Sequence, residues 1–146
     1  MPILVEVTLE EIVHANGVDE AGSYDFEIRG RLGVCVGPPG GADRECHTLF
    51  SKPDDEYVVI EPTEPYPIQL TRSLIVHPHE SLRIGGQLME EDDWSGDDGF
   101  GMVTESFSFN EINTMPREGI QVINQYSSED QYVDVHWHIR KDSDLI

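Results

Sequence analysis

Carboxylates at Glu90, Asp92 and Asp98 have the residue type and spacing of ligands to a hard cation. They belong to the stretch 90–101, Glu-Glu-Asp-Asp-Trp-Ser-Gly-Asp-Asp-Gly-Phe-Gly, whose like charges repel one another unless water, salt or a bound cation offsets them. Glu90 and Asp92 are one strand period apart and therefore on one side, and Asp98 comes six residues after Asp92, across a turn. Calcium takes about six to eight oxygens, mostly carboxylate and carbonyl, so one loop seldom suffices. A second acidic segment offers Asp19 and Asp25, six apart around Gly22, opening directly into Phe26-Glu27-Ile28. If both loops leave the same end of a sandwich, Asp19, Asp25, Glu90, Asp92 and Asp98 can pool around one or two Ca²⁺ ions. Trp94, at the tip of the acidic loop, is a candidate contact for a membrane or a partner; the alternative is that it folds back on its own loop.

Histidine offers the rival chemistry. His77-Pro78-His79 and His136-Trp137-His138 are both His-x-His, which in a strand puts two imidazoles on one face, as zinc, iron or nickel sites require. Pro78 puts the first pair in a turn or on an edge, however, and the second pair lies opposite Trp137 on the face expected to meet solvent. Surface histidine is the simpler reading. Other catalytic signatures are missing. There is no Gly-x-Ser-x-Gly elbow, Gly37 to Gly41 lacks the Lys-Ser/Thr of a phosphate loop, and the acidic loop lacks the alternating oxygens and twelfth-position Glu of an EF-hand. The chain is therefore expected not to be an enzyme.

Charge narrows the partners. Acidic residues number 29 against 9 basic ones, for a net charge of −20 over 146 residues. Nucleic acid is excluded as a partner, because phosphate binding needs clustered Lys and Arg. An anionic bilayer is disfavoured by the same charge. A protein partner or self-association remains. No apolar run reaches the length of a membrane span, and the N-terminus has no basic n-region, so a cytoplasmic address is expected. In that compartment Cys35 and Cys46 are expected as free thiols. The turn Gly37-Pro38-Pro39-Gly40-Gly41 between them would bring them face to face if it closed a hairpin, and two cysteines alone make no zinc site.

The elements that must position these groups read almost entirely as strands. Ile3, Val5, Val7 and Leu9 alternate with Leu4, Glu6, Thr8 and Glu10, and Tyr24 to Val36 alternates for longer, with Gly30 as a bulge or bend. Cys46 to Phe50, Tyr57 to Ile60, Ile68 to Val76, Leu82 to Leu88, Val103 to Phe109, Gly119 to Asn124 and Tyr132 to Arg140 follow. Glu61 to Pro67 is too rich in proline for sheet and reads as an extended crossing loop. Ser108 to Met115 is the one weak helix candidate, stopped by Pro116. About eight strands separated by turns predict an all-β antiparallel β-sandwich, one domain spanning 1–146.

With strand count and loop order in place, the acidic pattern resembles the C2-type domain. The residues carrying the resemblance are Asp-x-x-Gly-x-x-Asp at 19–25 before a strand, and Glu90-x-Asp92-x5-Asp98-x-Phe100-Gly101 after Leu88. The resemblance implies a C2-like sandwich, Ca²⁺ as ligand, and Asp19, Asp25, Glu90, Asp92 and Asp98 in the family's five carboxylate positions. It also implies an apolar group near Trp94 that can meet lipid. Glu90 stands where the family usually has Asp, Phe26 where a Pro is common, and the lysine-rich strand that grips anionic lipid is missing. The expected function is a non-catalytic calcium-binding module, with a metal-free structural sandwich and a histidine-based metalloenzyme as the alternatives.

Overall fold

In the computed structural model, residues 1–16, 25–53, 56–62, 64–90, 98–128 and 131–142 are described. Among them the chain forms nine strands and one short helix: β1 (Ile3–Asn16), β2 (Phe26–Gly37), β3 (Glu45–Lys52), β4 (Val58–Ile60), β5 (Tyr66–Val76), β6 (Ser81–Glu90), β7 (Asp98–Ser108), α1 (Phe109–Asn113), β8 (Ile120–Ser128) and β9 (Gln131–Asp142). All pairing between strands is antiparallel. One sheet runs β5-β1-β9-β8 and the other β3-β2-β6-β7, with β4 added alongside the start of β2.

Alternation creates the core. Val5, Val7 and Leu9 of β1, Leu32, Val34 and Val36 of β2, and Val133, Val135, Trp137 and Ile139 of β9 are buried and meet between the layers. Each such aliphatic side chain contributes roughly 1.5–3 kcal/mol of burial, so register is set by which face must be dry. On β9 the intervening Asp134, His136, His138 and Arg140 are only partly buried, as the sequence pattern predicts.

One core group ties the sheets with hydrogen bonds as well as packing. Tyr126 of β8 is fully buried, and its hydroxyl donates toward Gly86 O of β6 at 2.6 Å and Val103 O of β7 at 3.2 Å. Burial raises the pKa of this phenol, because phenolate would be poorly solvated there. The carbonyls it reaches belong to residues paired across β6 and β7, where Gly85 and Gly86 both have positive φ. At Gly86 an added Cβ would stand 1.9 Å from Arg31 O, and at Gly85, with φ +130°, 2.1 Å from Val103 O. Only glycine fits at either position.

Several local expectations change. The register between β2 and β6 runs unbroken through Gly30, and the irregularity against β3 falls between Leu32 and Gly33. Gly30 is instead required by approach, since a Cβ there would lie 2.1 Å from Gln87 O. The proline-rich crossing segment is shorter than expected, because β5 begins at Tyr66 and includes Pro67. That is tolerated because β5 is an edge strand, where a missing N–H need not break a ladder on both sides. The weak helix is real but brief. Ser108 caps it, its Oγ accepting from Glu111 N at 3.1 Å while Glu111 Oε1 accepts from Ser108 N at 3.0 Å.

Candidate metal centre

Three of the five predicted carboxylates have described backbone positions, and the sheet register gathers them at one end. Glu90, the last residue of β6, stands opposite Asp98, the first of β7, and opposite Ile28 of β2. Asp25 is three residues upstream of Ile28, immediately before β2, and is exposed. The end of β6 and the starts of β2 and β7 therefore share this end of the sandwich. Asp19, Asp92 and Trp94 lie outside the described residues, as does the side chain of Asp98.

Glu90 is held in a particular way. It is only 2% exposed, and Gln131 Nε2, from the start of β9 in the opposite sheet, donates to its Oε1 at 3.4 Å. The longer arm of Glu thus carries the carboxylate inside the mouth of the sandwich. Beside it the mouth is aromatic: His14 of β1 stacks on Phe26 with ring centroids 4.1 Å apart, and Phe26 meets Phe100 at 6.2 Å. His14 is buried, and its Nε2 finds no hydrogen-bond partner among the described residues. Phe26, where the resembling family often has Pro, is therefore a core residue forming the floor of this end. Gln131 and His14 were not legible as site neighbours in the sequence, because only the sheet order β1-β9 brings them there.

The histidine alternative gains no site from the fold. His77 and His79 stack on each other at 6.1 Å in the turn between β5 and β6. His136 Nδ1 lies 3.3 Å from Glu11 Oε2, and His138 Nε2 is 3.0 Å from Glu118 O. Among the described residues none of these imidazoles joins a group of three metal donors.

The opposite end of the sandwich holds a polar clamp that the sequence did not announce. Glu80, 3% exposed in the β5–β6 turn, accepts from Arg44 Nε at 2.8 Å, Arg44 Nη2 at 2.9 Å and His77 N at 3.0 Å. Arg44 Nη2 also donates to Ile75 O at 2.6 Å. The hydrogen bonds from Arg44 are the main reason that the Glu80 carboxyl is depressed to about pKa 2, against the opposing effect of burial; the same bonds raise Arg44.

Cys35 and Cys46 are a disulfide, not the expected free thiols. The hairpin register sets them directly opposite each other, with Cα atoms 4.1 Å apart, so the two sulfurs fall within bonding reach. The pair lies beside a surface trough of about 580 Å³ whose wall includes Arg31, Thr48, Arg83, Gln87, Met102 and Thr104.

No family model matches this sequence, and no curated protein does. The solved structures are more informative. Over 96% of this chain and 94% of the other, the protein is similar to the first C2 domain of a plant extended synaptotagmin 1, with a TM-score of 0.52 at 9% identity. It is likewise similar to the calcium-bound tandem pair of C2 domains of extended synaptotagmin 2, with a TM-score of 0.52 at 13% identity, over 95% of this chain and 45% of that one. The fold is therefore C2-like, an all-β sandwich of two antiparallel sheets. Among the described residues no helix is long and apolar enough to cross a membrane.

Proposed function

We propose that this chain is a non-catalytic calcium-binding module of the cytoplasm, one domain over 1–146. In this reading Asp19, Asp25, Glu90, Asp92 and Asp98 hold Ca²⁺ at the mouth of the sandwich. The observation that carries the reading is the register of Glu90 against Asp98, with the approach to β2 and Asp25 alongside, in a fold similar to a C2 domain pair solved with calcium bound. The donors are carboxylates, the oxygen set that calcium prefers. The ion would draw two self-repelling acidic segments together and so build a surface for a protein partner or a second copy, with Trp94 at its tip. Docking on a bilayer is disfavoured by the net charge of −20.

Thermal denaturation with Ca²⁺, Mg²⁺, Zn²⁺ and EDTA tests this. A calcium-selective rise in Tm, lost in the Asp92→Asn/Asp98→Asn double variant, is expected. An unchanged Tm with calcium leaves a metal-free structural sandwich as the better reading. A zinc effect abolished by His136→Ala would favour a histidine site instead.

A further inference from the structure

Independently of the calcium reading, we propose that the Cys35–Cys46 disulfide is the closed state of a thiolate metal site, which opens on reduction to bind one zinc-class ion through Cys35, Cys46 and Asp43. The ligand atoms of these three residues all lie within 4.8 Å of one another. The third donor is there because of how the hairpin folds. Gly41 N donates to Pro38 O at 3.0 Å and Arg44 N to Val36 O at 2.8 Å, turning the chain back sharply. Gly37 permits that closeness, since a Cβ there would be 2.8 Å from the Cα of Asp43. Asp43 is thereby brought back over the paired strands, where Arg83 Nη2 engages its Oδ2. Arg83 in turn stands directly opposite Cys35 in the register of β2 with β6, so Cys46, Cys35 and Arg83 form one row across three strands.

Charge and access both suit the open state. Two thiolates and one carboxylate balance a divalent ion together with the Arg83 guanidinium, leaving no net charge. Two sulfurs and an oxygen, with water at the fourth position, form a tetrahedral set suited to zinc. Cys46 is exposed, so a dithiol reductant can reach it. Its thiolate attacks Cys46 Sγ and expels the Cys35 thiolate. The reductant's second thiol then attacks the mixed disulfide, releasing the Cys46 thiolate and leaving the reductant as a disulfide. Two electrons pass to the protein, and metal binding replaces the protons that the thiolates would otherwise take up.

The test uses the full chain, reduced with a phosphine, desalted anaerobically and titrated with Co²⁺, whose thiolate charge-transfer band reports sulfur ligation. The expected result is a band saturating at one Co²⁺ per chain and displaced by Zn²⁺, with no band in the oxidised protein or in Cys35→Ser/Cys46→Ser. Asp43→Ala should weaken Co²⁺ binding at least about tenfold. Circular dichroism of the reduced, metal-free protein should still show sheet. The proposal is overturned by absence of the band, by one ion shared between two chains, by undiminished binding in Asp43→Ala, or by loss of the sheet signal on reduction.

Discussion

Arg44 and Glu80 meet as a two-point clamp, Nε to Oε2 at 2.8 Å and Nη2 to Oε1 at 2.9 Å, joining the β2–β3 hairpin to the β5–β6 turn. The carboxyl is depressed in the folded state to about 2, from an ordinary value of 4.5. A lowered carboxyl pKa stabilises the fold fully above the unfolded value and ceases to do so as pH falls through the folded one. Wild type should therefore lose stability relative to Glu80→Gln between about pH 4.5 and pH 2. Urea midpoints of the two proteins across that range measure it. The paired comparison cancels the other carboxylates, whose own protonation relieves repulsion. Parallel profiles would show that the clamp is not the group responsible.

Tyr126→Phe should cost about 1–2 kcal/mol, because the one hydroxyl proton shared between Gly86 O and Val103 O across the layers is lost while the ring still fills the core. Denaturant unfolding with an unchanged slope is the measurement. A neutral outcome would mean that the hydroxyl bonds add nothing to the packing.

Gly86→Ala should be far more costly than Gly101→Ala. At Gly86 the new methyl would stand 1.9 Å from a carbonyl of the neighbouring strand, so strands must part, at about 3 kcal/mol. Gly101, at φ +84° with nothing within 4 Å of an added Cβ, loses only conformational preference, about 1 kcal/mol. Similar Tm values for the two variants would refute the close-approach argument.

Trp137→Phe should cost less than its volume suggests. The indole Nε1 is buried and finds no hydrogen-bond acceptor among the described residues, so substitution removes an unsatisfied donor together with the lost contacts. The expected loss is about 1–2 kcal/mol, against roughly 3–5 kcal/mol for Trp137→Ala. Chemical denaturation of both variants gives the comparison.

The strands were readable because each buries one face, and a period of two survives in sequence wherever that holds. Trp137 and its alternating neighbours on β9 illustrate this. Groups that depend on cross-strand register were not readable. Nothing in the spacing of Arg44 and Glu80 predicts their contact, since they meet only after a hairpin and a crossing turn are both folded. The cysteines show a partial success. Their facing positions followed from the turn, but their oxidation state did not follow from an assumed compartment. Of the candidate metal ligands, Asp25, Glu90 and Asp98 have described backbone positions, whereas Asp19, Asp92 and Trp94 lie outside the described residues. The inward, Gln131-bound placement of Glu90 could not have been foreseen, because Gln131 is 41 residues away in another sheet.

The sheet order β5-β1-β9-β8 carries a kinetic consequence. β1 is flanked by β5 on one side and β9 on the other, with Leu4 pairing Asp142, so the first of these strands to be synthesised waits for the last of them. Until β9 emerges, β1 has an open edge, and the closing contact spans nearly the whole sequence, a topology that folds slowly.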